Sequence, residues 1–243
     1  MENNNPDYVY ENVIQINDAD SSRKYIAKVF TWMFVALGIS AFVAFEFATN
    51  ISLLRLIIDP TRGGFTGLGY IAVFSPLAFS LVMNFGFNRL SYGAVLTLFI
   101  AYAVAIGISL SIIGLIYTAS SIFTVFLSSA AIFGIMAIAG YTTSMDLTKF
   151  GSILIMIFLG AFVVSLINFF MGSAQLSYLL SFVFVALMIG LTAYYMQMLK
   201  RIGAGIEYGT AESKKLVIIG AYVLYTTFIN LFMSMLRLFG SRR

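Results

Sequence analysis

The sequence predicts an all-α membrane protein with seven transmembrane helices, and three observations predict it. Of 243 residues, 60% are hydrophobic and only 10% charged, whereas soluble domains carry roughly 25% charge. The apolar residues gather into segments long enough to cross a bilayer, which takes about 20 residues at about 1.5 Å each. The links between segments are short, as antiparallel neighbouring helices require.

Residues 1–27 come first and read as a polar tail, with carboxylates at Glu2, Asp7, Glu11, Asp18 and Asp20. No apolar core region lies in this stretch, so a cleaved signal peptide is not expected. A flexible, solubilising tail leading into an interfacial turn is expected, with Asp20, Ser21 or Ser22 capping a helix that starts near Arg23. Residues 28–243 form the seven-helix domain. Its segments run roughly 29–49, 69–87, 92–116, 120–143, 150–171, 176–199 and 216–238. The longest link, Asn50 to Leu68, holds Pro60, Gly63, Gly64 and Gly67 and reads as a loop. No internal repeat of the kind that builds many transporters is evident. Small residues recur at helical spacing at Ala103, Gly107 and Ser111, and again at Ala130 and Gly134, with Gly140 farther on. Such residues let helix backbones approach closely.

The last segment, LVIIGAYVLYTTFINLFMSMLRL, is not uniformly apolar. On a helix at about 100° per residue, Tyr222, Thr226, Thr227, Asn230, Ser234 and Arg237 share a stripe about 140° wide. Val217, Leu224, Phe228, Leu231 and Met235 lie opposite. The second face is expected toward lipid and the first toward a helix bundle, because polar groups in a membrane core need partners. Those polar residues serve either as packing contacts between helices or as the lining of a path.

Lys and Arg set orientation. With the N-terminus cytoplasmic, that side holds Arg23, Lys24, Lys28, Arg89, Lys149, Lys200, Arg201, Lys214 and Lys215. The other side holds Arg55, Arg62, Arg237, Arg242 and Arg243. The split favours a cytoplasmic N-terminus and an external C-terminus. A re-entrant last segment, leaving six spans, is the alternative that would carry Arg242 and Arg243 inside.

The chemistry is narrow. There is no cysteine and no histidine, which removes disulfides, thiolate and imidazole catalysis and the usual zinc ligands. Beyond the tail, carboxylates stand only at Glu46, Asp59, Asp146, Glu207 and Glu212. Asp59, Glu207 and Glu212 fall in loops, and Asp146 or Thr148 is placed to cap the fifth helix. Glu46 alone sits within an apolar segment, where it either snorkels to the interface or pairs with Arg55 or Arg237. No two carboxylates are expected at mid-membrane, so an aspartyl intramembrane protease is not expected. Nor is a Gly-rich phosphate loop present. The reading is therefore not an enzyme, with no cofactor and no metal site. The formal charge of +4 comes from residues at membrane borders and gives no nucleic-acid signal.

Several stretches together resemble the Bax inhibitor-1, or transmembrane Bax inhibitor motif, family in its bacterial branch. They are NRLSYG at 88–93, YTASSIFTVF at 117–126, FGIMAIAGYTTSMDLTKFG at 133–151, GLTAYYMQMLKR at 190–201 and LYTTFINLFMSMLRLFGSRR at 224–243. The resemblance runs from about Arg23 to the C-terminus. It implies six helices around a central C-terminal one, in a bacterial inner membrane. It also implies passive calcium or cation leak, gated by a pH-sensitive pair of buried aspartates, and links to membrane proteases or stress machinery. One aspartate of the family pattern follows the Ala–Tyr of the sixth helix, and here that position is Tyr195. The other precedes Phe228–Ile229–Asn230, and here it is Thr227. Both hydroxyls can hydrogen-bond, so a neutral pair holding the two helices together is expected in place of a pH gate. The expected lining is Thr192, Tyr195, Tyr222, Thr226, Thr227 and Asn230, with Asn168 from the fifth helix. A non-conducting regulator that binds other membrane proteins is the rival reading.

Overall fold

A computed structural model describes residues 18–59, 64–86, 89–206 and 209–243, and they are almost entirely helical. The helices are α1 (Asp18–Thr49), α2 (Ile51–Ile57), α3 (Gly67–Gly86), α4 (Tyr92–Ser111), α5 (Ile113–Ile116), α6 (Ala119–Thr142), α7 (Thr148–Met171), α8 (Ala174–Ala204) and α9 (Ala211–Phe239). Two short strands, β1 (Ile58–Asp59) and β2 (Gly64–Phe65), pair antiparallel between α2 and α3.

The helix starts are written in the sequence. Ser91, Thr118, Ser173 and Thr210 each stand just before a helix and accept a backbone N–H from its first turn. At the other end of α7, Gly172 adopts φ 68°, a left-handed turn that glycine makes without steric cost. Inside α3, Pro76 lacks the N–H that would bond the Ala72 carbonyl. That freed carbonyl instead accepts from Ser75 Oγ and from Ser109 Oγ of α4, each at 3.0 Å. A proline that would expose a polar group in lipid thus becomes an α3–α4 joint.

Six helical stretches are long and apolar enough to cross a membrane: α1, α4 with α5, α6, α7, α8 and α9. The apolar part of α3, Gly67–Met83, is shorter. At 1.5 Å per residue it measures about 25 Å against about 30 Å of hydrocarbon. The protein is an integral membrane protein of all-α fold.

Helix α9 is the most buried of the long helices and lies against α1, α4, α6 and α8; α3 packs on α4, and α7 on α8. This corrects the expected lipid face of the last segment. Val217, Leu224, Phe228, Leu231 and Met235 are all buried, none more than 7% exposed. The helix is covered on both faces because it lies among α1, α4, α6 and α8. Lipid instead falls to residues such as Phe34, Phe42, Leu159 and Phe170, the last 85% exposed.

Two further expectations are corrected. Helix α1 begins at Asp18, so Asp20, Ser21 and Ser22 lie inside it, and Ser22 Oγ donates to the Lys200 carbonyl at 3.0 Å instead of capping. The link read as a loop holds a helix and a hairpin. Asn50 caps α2 by accepting from Ser52 N, and Ile57 is buried with Leu53, Leu54 and Ile58 half-buried around it. The tail residues 1–17, Glu207, Asn88, and Pro60 to Gly63 with Arg62 lie outside the described residues.

Small residues set the closest crossings. A Cβ at Gly140 would run into the Ala193 carbonyl oxygen, so α6 and α8 touch backbone to backbone there. A Cβ at Gly107 would meet the Ser40 carbonyl oxygen at 2.8 Å, which ties α4 to α1. Gly134 meets nothing within 4 Å.

Candidate functional site

The polar stripe of α9 meets α8 at a small cavity of about 140 Å³. Tyr195 of α8 and Tyr222, Thr226, Thr227 and Asn230 of α9 line it, closed by Phe158, Met188, Leu191 and Val223. Five of the seven residues singled out from sequence therefore converge. Every polar side chain in this wall is a hydroxyl or an amide, and among the described residues no carboxylate lines it.

Tyr195 and Thr227 share the cavity but do not bond to each other. Thr227 Oγ1 donates to the Val223 carbonyl of its own helix at 2.8 Å. The neutral clamp expected between them is therefore absent, because a threonine in a helix satisfies its hydroxyl on the preceding turn. Thr192 behaves likewise, donating to Met188 at 2.6 Å, fully buried and away from the cavity lining. Asn168 has a different role. Its amide donates to the Ser173 carbonyl (3.1 Å) and to Ser177 Oγ (2.7 Å), and its oxygen accepts from Ser173 N (3.2 Å). It locks the α7–α8 turn beside Gly172 and is not among the residues lining the cavity.

Behind the cavity runs a tyrosine cluster of which only Tyr222 was singled out from sequence. Tyr222 OH is 2.6 Å from Ser80 Oγ of α3, and Tyr102 OH of α4 is 3.2 Å from Thr226 Oγ1. The rings of Tyr102 and Tyr222 meet edge to face at 5.1 Å, and those of Tyr102 and Tyr225 at 5.8 Å. Tyr225, fully buried, places its hydroxyl 2.5 Å from Ser40 Oγ of α1. Ser40 has one proton, which faces the Ala103 carbonyl at 2.7 Å or the Ala36 carbonyl at 3.0 Å. Tyr225 must then be the donor to Ser40. These bonds join α1, α3 and α4 to α9. The signal for them was present, since Tyr102 and Ser80 recur on apolar helices, but only the fold pairs them.

Glu46 and Arg237 are not brought together. Glu46 is half-buried near the end of α1 and Arg237 is exposed in the last turn of α9, with no ion pair between them. Arg237 instead carries its charge at a helix C-terminus, where the dipole favours it.

At the opposite end, the α6–α7 loop is held by α8. Gln197 Oε1 accepts from Leu147 N at 2.9 Å and its Nε2 donates to the Met145 carbonyl at 2.7 Å. Lys200 Nζ donates to the Tyr141 carbonyl at 2.8 Å. Asp146 accepts from Thr148 N (3.1 Å), from Thr148 Oγ1 (2.7 Å) and from Arg201 (2.8 Å). The Thr148 hydroxyl and the Arg201 guanidinium hold its carboxyl well below the usual range, at about 2. The cap position of α7 is Leu147, which has no side-chain cap bond, so neither Asp146 nor Thr148 is the cap; Asp146 accepts the Thr148 N–H beside it and closes an ion pair to α8.

The family model described as inhibitor of apoptosis-promoting Bax1 matches residues 22–243. The inner membrane protein YbhL of Escherichia coli (strain K12) is 39% identical over 220 residues, covering 90% of this chain and 92% of that protein. The Rickettsia prowazekii (strain Madrid E) protein RP147 is 36% identical over 224 residues, covering 91% of each. A Streptococcus pyogenes membrane protein, SpyM3_0260, is 31% identical over 232 residues, covering 95% of this chain and 98% of its own length.

Proposed function

The chain belongs to the Bax inhibitor-1 family, and from that premise we propose that it is a passive calcium or cation leak pathway without a pH gate. The observation that carries this reading is the cavity between α8 and α9, whose polar wall is Tyr195, Tyr222, Thr226, Thr227 and Asn230. Hydroxyls and an amide can replace part of a cation's hydration shell, as oxygen ligands do for calcium. The family's aspartate pair would stand at Tyr195 and Thr227, and these two side chains do share the cavity. Neither titrates near neutral pH: tyrosine has its ordinary value at about 10, and threonine has none.

The bilayer frame of this reading has seven spans, with α3 as the short second one and α9 at the centre. The N-terminus is cytoplasmic and the C-terminus external, and the membrane is the bacterial inner membrane, as the name of the YbhL relative states for that protein. Support for a spanning rather than re-entrant α9 comes from its 29 unbroken residues. Its end pairs with the α5–α6 junction, where Arg243 N donates to the Ile116 carbonyl and Thr118 N to the Ser241 carbonyl. The start of α1 lies at the other end, beside Lys200.

A second reading, a non-conducting regulator that binds membrane proteases or stress proteins, is favoured by one observation. The cavity wall has no negative charge to draw a cation in. Calcium entry into dye-loaded liposomes separates the two. The leak reading expects flux above protein-free liposomes, lowered several-fold by Asn230→Leu and unchanged by Lys149→Gln. Folded protein with no flux, recovered from its host membrane with a stoichiometric partner, supports the regulator.

A further inference from the structure

A second cavity, of about 230 Å³, opens at the other end of α9 from Arg237 and lies outside the pathway described above. Lys28 and Trp32 of α1, Tyr92 at the start of α4, and Gly209, Ser213, Lys214 and Val217 around the start of α9 line it. We propose that it is a binding site for the phosphate headgroup of an anionic phospholipid, drawn from the leaflet at this end of the bundle.

Three features of the cavity carry this. First, among the described residues neither Lys28 nor Lys214, both exposed, has an ion-pair partner. Secondly, Lys214 sits in the first turn of α9, on the positive end of the helix dipole, where a cation is disfavoured unless an anion lies nearby. The acidic residue of that turn, Glu212, does not line the cavity. Thirdly, the two lysines stand beside Trp32 and Tyr92, both half-buried. Such rings settle at the headgroup level of a bilayer, with an apolar body against the acyl chains and a polar edge toward the phosphate. Basic pockets between helices are a recurrent setting for anionic headgroups. A zwitterionic lipid offers the same phosphate but cancels it with its own cation, so the site discriminates by net charge.

Trp32 is the single tryptophan of the chain, so the site carries its own reporter. The full-length protein in zwitterionic detergent is titrated with phosphatidylglycerol, with phosphatidylcholine and with inorganic phosphate, following Trp32 emission. Bound lipid is counted by native mass spectrometry. A saturating response to phosphatidylglycerol alone is expected, with one lipid bound. Lys28→Gln and Lys214→Gln should each weaken it about five-fold, as one lysine near a charged surface contributes. Lys149→Gln, at the same end but outside the cavity, should leave it unchanged. An equal response to phosphatidylcholine, or equal weakening by Lys149→Gln, overturns the proposal. So does reproduction of the response by inorganic phosphate, which would mark a free-anion site.

Discussion

Ser40 and Tyr225 show how much depends on a single hydrogen bond in this core. Ser40→Ala strips the buried Tyr225 hydroxyl of its acceptor, and an orphaned buried donor costs about 1–3 kcal/mol. Tyr225→Phe leaves Ser40 its bond to a backbone carbonyl and should cost less. The double variant should be more stable than Ser40→Ala plus Tyr225→Phe would add to, as a thermal-melt cycle in detergent can read. Asp146 gives a residue-scale prediction in pH. Its folded carboxyl titrates at about 2 against an ordinary 3.8. A depressed folded value means the stabilisation is present in full above the ordinary value and is lost as pH falls toward 2. Asp146→Asn should therefore flatten the melting temperature between those two pH values and change its slope little above pH about 5. Glu46 and Arg237 form no ion pair, so their single variants should add without coupling.

At the scale of elements, glycine contacts separate packing from mere composition. Gly140→Ala drives a methyl into the Ala193 backbone and should cost about 1–3 kcal/mol, as overpacking does. Gly134→Ala meets open space and should be neutral or slightly stabilising, because alanine is the better helix former. The sequence marks both as small residues at helical spacing, but it cannot say which one faces a backbone. The same limit explains the misread face of α9. Hydropathy placed the segment in the membrane, and its polar stripe did turn toward α8. The opposite side, Leu224, Phe228 and Leu231, reads the same whether it meets lipid or α6, since both are apolar. Helix α2 was missed because glycines and a proline downstream masked the Asn50 cap. Thr192 and Asn168 were polar in the right segments, yet a helix-internal bond and a turn took their side chains. The all-α membrane character and the gathering of Tyr195 with Thr227 were legible, because each depends on residue type at fixed spacing.

For the whole molecule, topology and gating remain linked to the same helix. If α9 spans, a reporter that works only in the external compartment and is fused after Arg243 should be active, while a cytoplasmic signal there would return the re-entrant arrangement. The gate follows from what the cavity lacks. Two buried carboxylates in contact cannot both ionise readily, so a proton held near neutrality can push two helices apart when it leaves. Tyr195, Tyr222, Thr226, Thr227 and Asn230 supply no such proton. The central claim is thus a neutral pathway between α8 and α9. The most direct measurement is calcium entry into dye-loaded liposomes holding the purified protein, across pH about 6 to 8, the range in which none of these side chains has its ordinary titration. A flat, low flux is expected, becoming pH-dependent in the double variant Tyr195→Asp with Thr227→Asp and much less so in either single one. A steep pH response in the unaltered protein would contradict the account.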